Sequence, residues 1–164
     1  MNLVHKIAAA ACLMLASGTA HAQAWKQVGD WSIYKNADHC RAITTFQKVL
    51  VSVAWYKAAN RSTMMILDDT IFASAQNGTK FDASVVFVKN DDVVTDFAQL
   101  PIQGAVLESG TKGVYFQSQG DSFLTTFAQS SIVGLIKGGD VVVSLKIEAP
   151  GDMIGAVRQC ANGG

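Results

Sequence analysis

In the stretch "NADHCRAI", Asn36 to Ile43, His39 adjoins Cys40, so a potential base sits next to a potential nucleophile. Two chemistries use such a pair. An imidazole can activate a thiolate for attack, or the cysteine can be half of a disulfide and the histidine incidental. Successive side chains on a strand point to opposite faces, so the two are poorly placed to act on one another if this segment is extended. Cys160, near the other end, offers Cys40 a partner. The sequence therefore predicts a Cys40–Cys160 staple rather than a reactive dyad.

The remaining site types need residues that the chain does not supply in the right pattern. A zinc site takes three or four His, Cys or carboxylate ligands. A Ser-His-Asp hydrolase would have to use His39, and no G-x-S-x-G elbow occurs. "GLIKGG" lacks the spacing and the Ser/Thr of a phosphate-binding loop. Acidic pairs occur at Asp68-Asp69 and in "NDDVVTD", which holds Asp91, Asp92 and Asp96. Glycosidase chemistry would need two of these facing each other across a bond. "NDD" lacks the repeated acidic positions of a calcium loop and reads as a solvated turn. Asn60 in "NRS" and Asn77 in "NGT" read as turn residues. No catalytic residue, no metal site and no cofactor are expected. Trp25, Trp31, Trp55, Tyr34, Tyr56 and Tyr115 either form an aromatic strip for a sugar or peptide or, as the commoner outcome, fill the core.

The elements that would position these residues are mostly strands. The opening "MNLVHKIAAAACLMLASGTAHAQA" has a basic start at Lys6, an apolar run from Ile7 to Ala16 and the small-x-small site "AHA". That is the pattern of a secretory signal peptide cut before Gln23, and the run is shorter than the roughly 20 residues that span a bilayer. Residues 1–22 are read as the leader and 23–164 as one disulfide-bonded β-rich domain. Removal of the leader takes His5, His21, Cys12 and Lys6 with it. It leaves His39 as the remaining histidine, two cysteines, and a net charge near −1 from twelve basic and thirteen acidic residues. Such a balance gives no footprint for nucleic acid or an anionic membrane surface. Two cysteines in an exported chain pair most simply with each other. The loop they close, about 120 residues, is worth about 4.5–5 kcal/mol by the chain-entropy model.

Runs of β-branched and aromatic residues at "WSIY", "CRAITTF", "VLVSVAWY" and "STMMILD" predict strands. "NGTKFDASVVFV" opens with an Asn-Gly turn and then alternates, placing Phe81, Ala83, Val85 and Phe87 on one side. "GVYFQS" and "DVVVSLKIEA" add two more strands. Two segments change period. Phe123, Leu124, Phe127, Ala128, Ile132, Leu135 and Ile136 fall at helical spacing, which predicts a helix near 121–137 capped by Asp121 and ended by Gly138-Gly139. Ile154, Val157 and Ala161 predict a C-terminal helix near 152–161 with Asp152 as its N-cap. The fold class is mainly β with two helices, an antiparallel β-sandwich-like domain.

The frame "GDWSIY…C" near the start and "VVVSLKIEAPGDMIGAVRQC" at the end, with Ala156 and Cys160 in an A-x-x-x-C pattern, resemble the invasion-associated locus B family and related small periplasmic proteins of alphaproteobacteria. The resemblance implies an exported β-sandwich-like domain without known catalysis, linked in some pathogens to host-cell entry. The functional expectation is an exported periplasmic or envelope-associated, non-catalytic binding protein. Its partner would be a protein or an envelope component, not a nucleic acid, and no integral membrane segment would remain after cleavage. The alternative is a carboxylate-based hydrolase acting on envelope glycans.

Overall fold

A computed structural model describes residues 24–163. The leader expected over residues 1–22, with Cys12 and the expected junction before Gln23, lies outside the described residues. Twelve strands and two helices follow one another along the described chain. The first five strands run as a meander: β1 (Lys26–Val28), β2 (Trp31–Lys35), β3 (Cys40–Phe46), β4 (Val49–Tyr56) and β5 (Arg61–Leu67). Period-2 alternation drives them. Ile33, Ala42, Val53 and Met64 are buried, while their chain neighbours Tyr34, Arg41, Ser52 and Thr63 point the other way. β10 (Lys112–Gln119), β9 (Ile102–Val106) and the two-residue β6 (Lys80–Phe81) complete an eight-stranded antiparallel sheet in the order β1-β2-β3-β4-β5-β10-β9-β6. A second, four-stranded antiparallel sheet has the order β12-β11-β7-β8, from β7 (Ser84–Lys89), β8 (Asp92–Val94), β11 (Ile132–Lys137) and β12 (Asp140–Lys146). The two sheets pack as a sandwich with two helices, α1 (Ser122–Ala128) and α2 (Pro150–Ala161), against the core.

The segment that opens at Asn77-Gly78 is two strands rather than one. Thr79 N–H donates to Gln76 O at 3.1 Å across the turn. β6 then joins the large sheet, and the chain crosses to the small sheet before Ser84. The helix expected near 121–137 also needs correction. It stops at Ala128, with the Ser130 hydroxyl donating to Thr126 O at 2.7 Å, and residues 132–137 form β11 in the middle of the small sheet. An apolar run buried on both faces carries the same spacing signal as a helix. Here the β-branched Ile132, Val133 and Ile136 and the ladders offered by β7 and β12 decide for strand. The C-terminal helix forms but starts two residues earlier, with Ala149 rather than Asp152 at its N-cap. Pro150 takes the first helical position, where its missing N–H costs nothing. Asp152 sits in the first turn, where its charge complements the helix dipole.

The core is aromatic at its centre. Phe123 and Phe127 of α1 meet Phe87 of β7, Phe116 of β10 and Phe97 of the loop after β8, with ring centroids at 5.5–6.3 Å and edge-on geometry except in the tilted Phe123–Phe127 pair. α2 lies across β1 to β4 and against α1, burying Met153, Ile154, Ala156, Val157 and Cys160. Arg158 on its outer side donates to Asp121 Oδ2 at 3.1 Å and to Thr125 Oγ1 at 2.8 Å, which ties the two helices together. The buried stripe brings Cys160 to the first residue of β3. Cys40 and Cys160 form a disulfide, with Cα atoms 6.0 Å apart and both side chains at most 2% exposed.

Candidate functional site

His39 and Cys40 part company as strand geometry requires. Cys40 turns inward to α2 and the disulfide, and His39 turns outward. The sequence offers His39 no partners, but the structure supplies three. Its ring stacks on Tyr56 with centroids 4.5 Å apart. With the proton on Nδ1, that nitrogen donates to Asp38 Oδ1 at 2.6 Å, and the Asn36 Nδ2 amide donates to Nε2 at 3.1 Å. The Asp38–His39 contact resembles part of a hydrolase triad. The position a serine hydroxyl would occupy at Nε2 is taken by Asn36, and both ring nitrogens are engaged. The hydrogen bond from His39 holds the Asp38 carboxyl below its usual value. His39→Ala is expected to leave the disulfide and fold intact and to lower stability by about 0.5–1.5 kcal/mol, the worth of one stacked pair. Urea titration would check it, and a loss beyond about 3 kcal/mol would assign His39 a larger structural role.

The five aspartates weighed as acid–base candidates are not brought to one point. Asp68 Oδ1 accepts from the Thr70 and Ile71 N–H groups at 2.8 Å each, shaping the turn after β5. Asp69 Oδ1 accepts from Lys112 N–H at 2.7 Å, pinning that turn to the start of β10. Asn90 and Asp91, at φ 51° and 66°, form the tip of the β7–β8 hairpin, Asp92 opens β8, and Asp96 lies in the loop that follows. Asn60, at φ 46°, closes the β4–β5 turn. Among the described residues no three His, Cys, Asp or Glu side chains cluster at metal-binding distance.

The large aromatic residues divide by type. Trp31 and Trp55 are buried in the core, while Tyr34, Tyr56 and Tyr115 stand on the outer face of the large sheet. That face is the candidate site. Cross-strand register sorts it into rows. Tyr56 lies opposite Arg61, beside the His39 stack. The next row is Arg41–Ala54–Thr63, then Ile43–Ser52–Met65–Tyr115, then Leu50–Leu67. One end is cationic and aromatic, and the other is aliphatic. Small residues at Ser52, Ala54 and Thr63 floor a hollow of about 320 Å³, walled by Arg41, Tyr56, Met65 and Leu107 among others. A second hollow of about 260 Å³ shares Tyr56, Thr63 and Met65 with it and adds Arg61 and Tyr115.

The two arginines are held in place but not paired. The Arg61 guanidinium lies 4.4 Å from the Tyr56 ring centroid and that of Arg41 5.9 Å from Tyr34, within cation–π range. Neither forms an ion pair among the described residues, and the Nε of each is buried without a hydrogen-bond partner. Asp38, whose carboxyl feels the charge of Arg61, is hydrogen-bonded to His39 instead. These arginines were not singled out from the sequence. Alternation in "CRAITTF" does place Arg41 and Ile43 on one face, but a missing partner is a property of the folded neighbourhood.

Two other surfaces compare poorly. A hollow of about 450 Å³ lies between the β2–β3 turn and the end of α2, next to the disulfide. Its Asn36–His39–Asp38 wall is satisfied internally. On the outer face of the small sheet Val93 and Val141 are 62% and 65% exposed, at opposite edges, with no polar group of matching role between them. Among the described residues no helix is long and apolar enough to cross a membrane. In comparisons with known proteins, no family model, no curated protein and no solved structure matches the chain.

Proposed function

We propose that the protein is exported by removal of residues 1–22 and acts in the periplasm, or associated with the envelope, as a non-catalytic binding protein. The observation that carries the reading is the outer face of the large sheet. Guanidinium groups beside a lined hollow there form no ion pair among the described residues. Buried or half-buried donors normally find acceptors, so a surface that leaves two arginines waiting suits a ligand or partner. The leader pattern and the Cys40–Cys160 bond support an oxidising compartment. The resemblance to the invasion-associated locus B family supports an exported sandwich of this kind. The hydrolase alternative needs two carboxyls facing each other, and Asp68 and Asp69, weighed for it, hold the turn after β5 instead.

Two measurements test the proposal. Cells making the full chain should yield material beginning at Gln23 in the periplasmic fraction, read by intact mass. Material that retains Met1 would overturn the export half. Hydrogen exchange of that protein, with and without an envelope extract, should show added protection on β3, β4 and β5. No change at those strands would overturn the binding half.

A further inference from the structure

The rows on the outer face of the large sheet have an order that says more than "binding surface". We infer that the face is a site for an anionic amphiphile, its head group held by Arg41 and Arg61 and its chain laid over Ile43, Leu50 and Met65. The inference rests on the binding reading above and adds the class of ligand.

Charge complementarity argues for the head group. Among the described residues both guanidinium groups lack a carboxylate partner and have an unpartnered Nε. The Arg61 guanidinium lies over the Tyr56 ring, and that of Arg41 reaches the edge of cation–π range of Tyr34. A planar guanidinium fork suits a carboxylate or phosphate, which it grips through parallel N–H donors.

Register argues for the chain. Each row is two residues beyond the last, a step of roughly 6.6 Å at the rise of an antiparallel strand. From Arg61 to Leu67 is therefore roughly 20 Å, the side chains turning from cationic to aliphatic along the way. The hollow of about 320 Å³ lies between these ends and is floored by Ser52 and Ala54. It falls within the size range of small-molecule sites. A bare anion would leave the aliphatic rows uncovered, and a neutral oil would leave the arginines unmatched.

Dodecanoate below its micellar concentration is the direct probe, titrated into the folded, disulfide-bonded protein by calorimetry. Dodecanol and acetate each carry half of the chemistry, and both should bind at least about tenfold more weakly, the factor that 1.4 kcal/mol represents. The double variant R41Q/R61Q should lose at least about tenfold in dodecanoate affinity while keeping its fold and its disulfide, because hydrogen bonds to a charged group are worth about that much or more. Arg41→Lys keeps the charge and loses the fork, so it should fall between the two. Ile43→Asn should weaken dodecanoate and leave acetate unaffected. Equal binding of dodecanol and dodecanoate, or full binding by R41Q/R61Q, would overturn the assignment. So would binding to anionic vesicles with none to monomeric dodecanoate, which would point to a membrane surface. If dodecanoate fails while envelope extract still protects β3 to β5, the ligand class falls and the binding reading survives. If neither acts on the face, both fall.

Discussion

Replacing Cys40 with Ser lowers the unfolding free energy by about 2–5 kcal/mol, the range for a lost native disulfide in a small domain. The bond joins residues 120 apart in sequence. The chain-entropy model puts such a loop at about 4.5–5 kcal/mol, so the loss should fall in the upper half of that range. Cys160→Ser should cost about the same. The double variant should cost little more than either single one, since the two substitutions break one bond and their effects cannot add. Both sulfurs are buried, one at the start of β3 and one on the inner stripe of α2. A native thiol titration of the protein beginning at Gln23 should therefore find no reactive group. Two titratable thiols in the folded protein would sink the expectation, and so would additive losses in the double variant.

Phe123→Ala should be as damaging. Phe123 is 1% exposed and its ring touches those of Phe87, Phe97, Phe116 and Phe127 at centroid distances of 5.5–6.2 Å. It thus joins a strand of each sheet, a loop and its own helix. Truncating a buried Phe costs about 3–5 kcal/mol through lost transfer energy and the cavity left behind. Edge-to-face pairs add about 0.5–1.5 kcal/mol each beyond area, so the upper end is expected here. α1 has seven residues and cannot persist on propensity alone. Its helicity should fall with the loss of the contact. Phe81 provides the contrast, being half-buried with Phe72 as its ring neighbour, and Phe81→Ala should cost distinctly less. Urea titrations of the two variants give the comparison. A loss below about 1.5 kcal/mol for Phe123→Ala would mean that the cluster repacks around the gap.

The parts of this fold that local pattern controls were readable in advance. β2 to β5 follow from alternation in "WSIY", "CRAITTF", "VLVSVAWY" and "STMMILD", and the cysteine pair follows from its count. β11 was not readable. Its apolar residues match a helix as well as a strand, and the choice is made by β7 and β12, one more than 40 residues earlier and the other after it. The sheet change between Phe81 and Ser84 is also a long-range decision, because β6 pairs with β9 while β7 pairs with β11. The candidate site was half legible. Tyr34, Tyr56 and Tyr115 were visible as aromatics, but not the sorting of tyrosines outward and tryptophans inward. Arg41 and Arg61 became notable only when the folded face left their Nε atoms without acceptors among the described residues. His39 drew attention for its neighbour Cys40, and its actual partners are Asp38, Asn36 and Tyr56.

The Cys40–Cys160 bond also decides how the domain would carry mechanical load. A pull applied at Trp25 and Gly163 reaches Cys40 through β1 and β2 and Cys160 from the end of α2, and then crosses the bond directly. The roughly 120-residue loop between the cysteines is shielded from the stretching force, including every strand from β4 onward. Only the short segments outside the loop can lengthen. Reduction would release that hidden length, on the order of 400 Å at about 3.3–3.6 Å per residue. A tether that stays short while oxidised and pays out tens of nanometres once reduced is the mechanical signature this covalent closure builds into the chain.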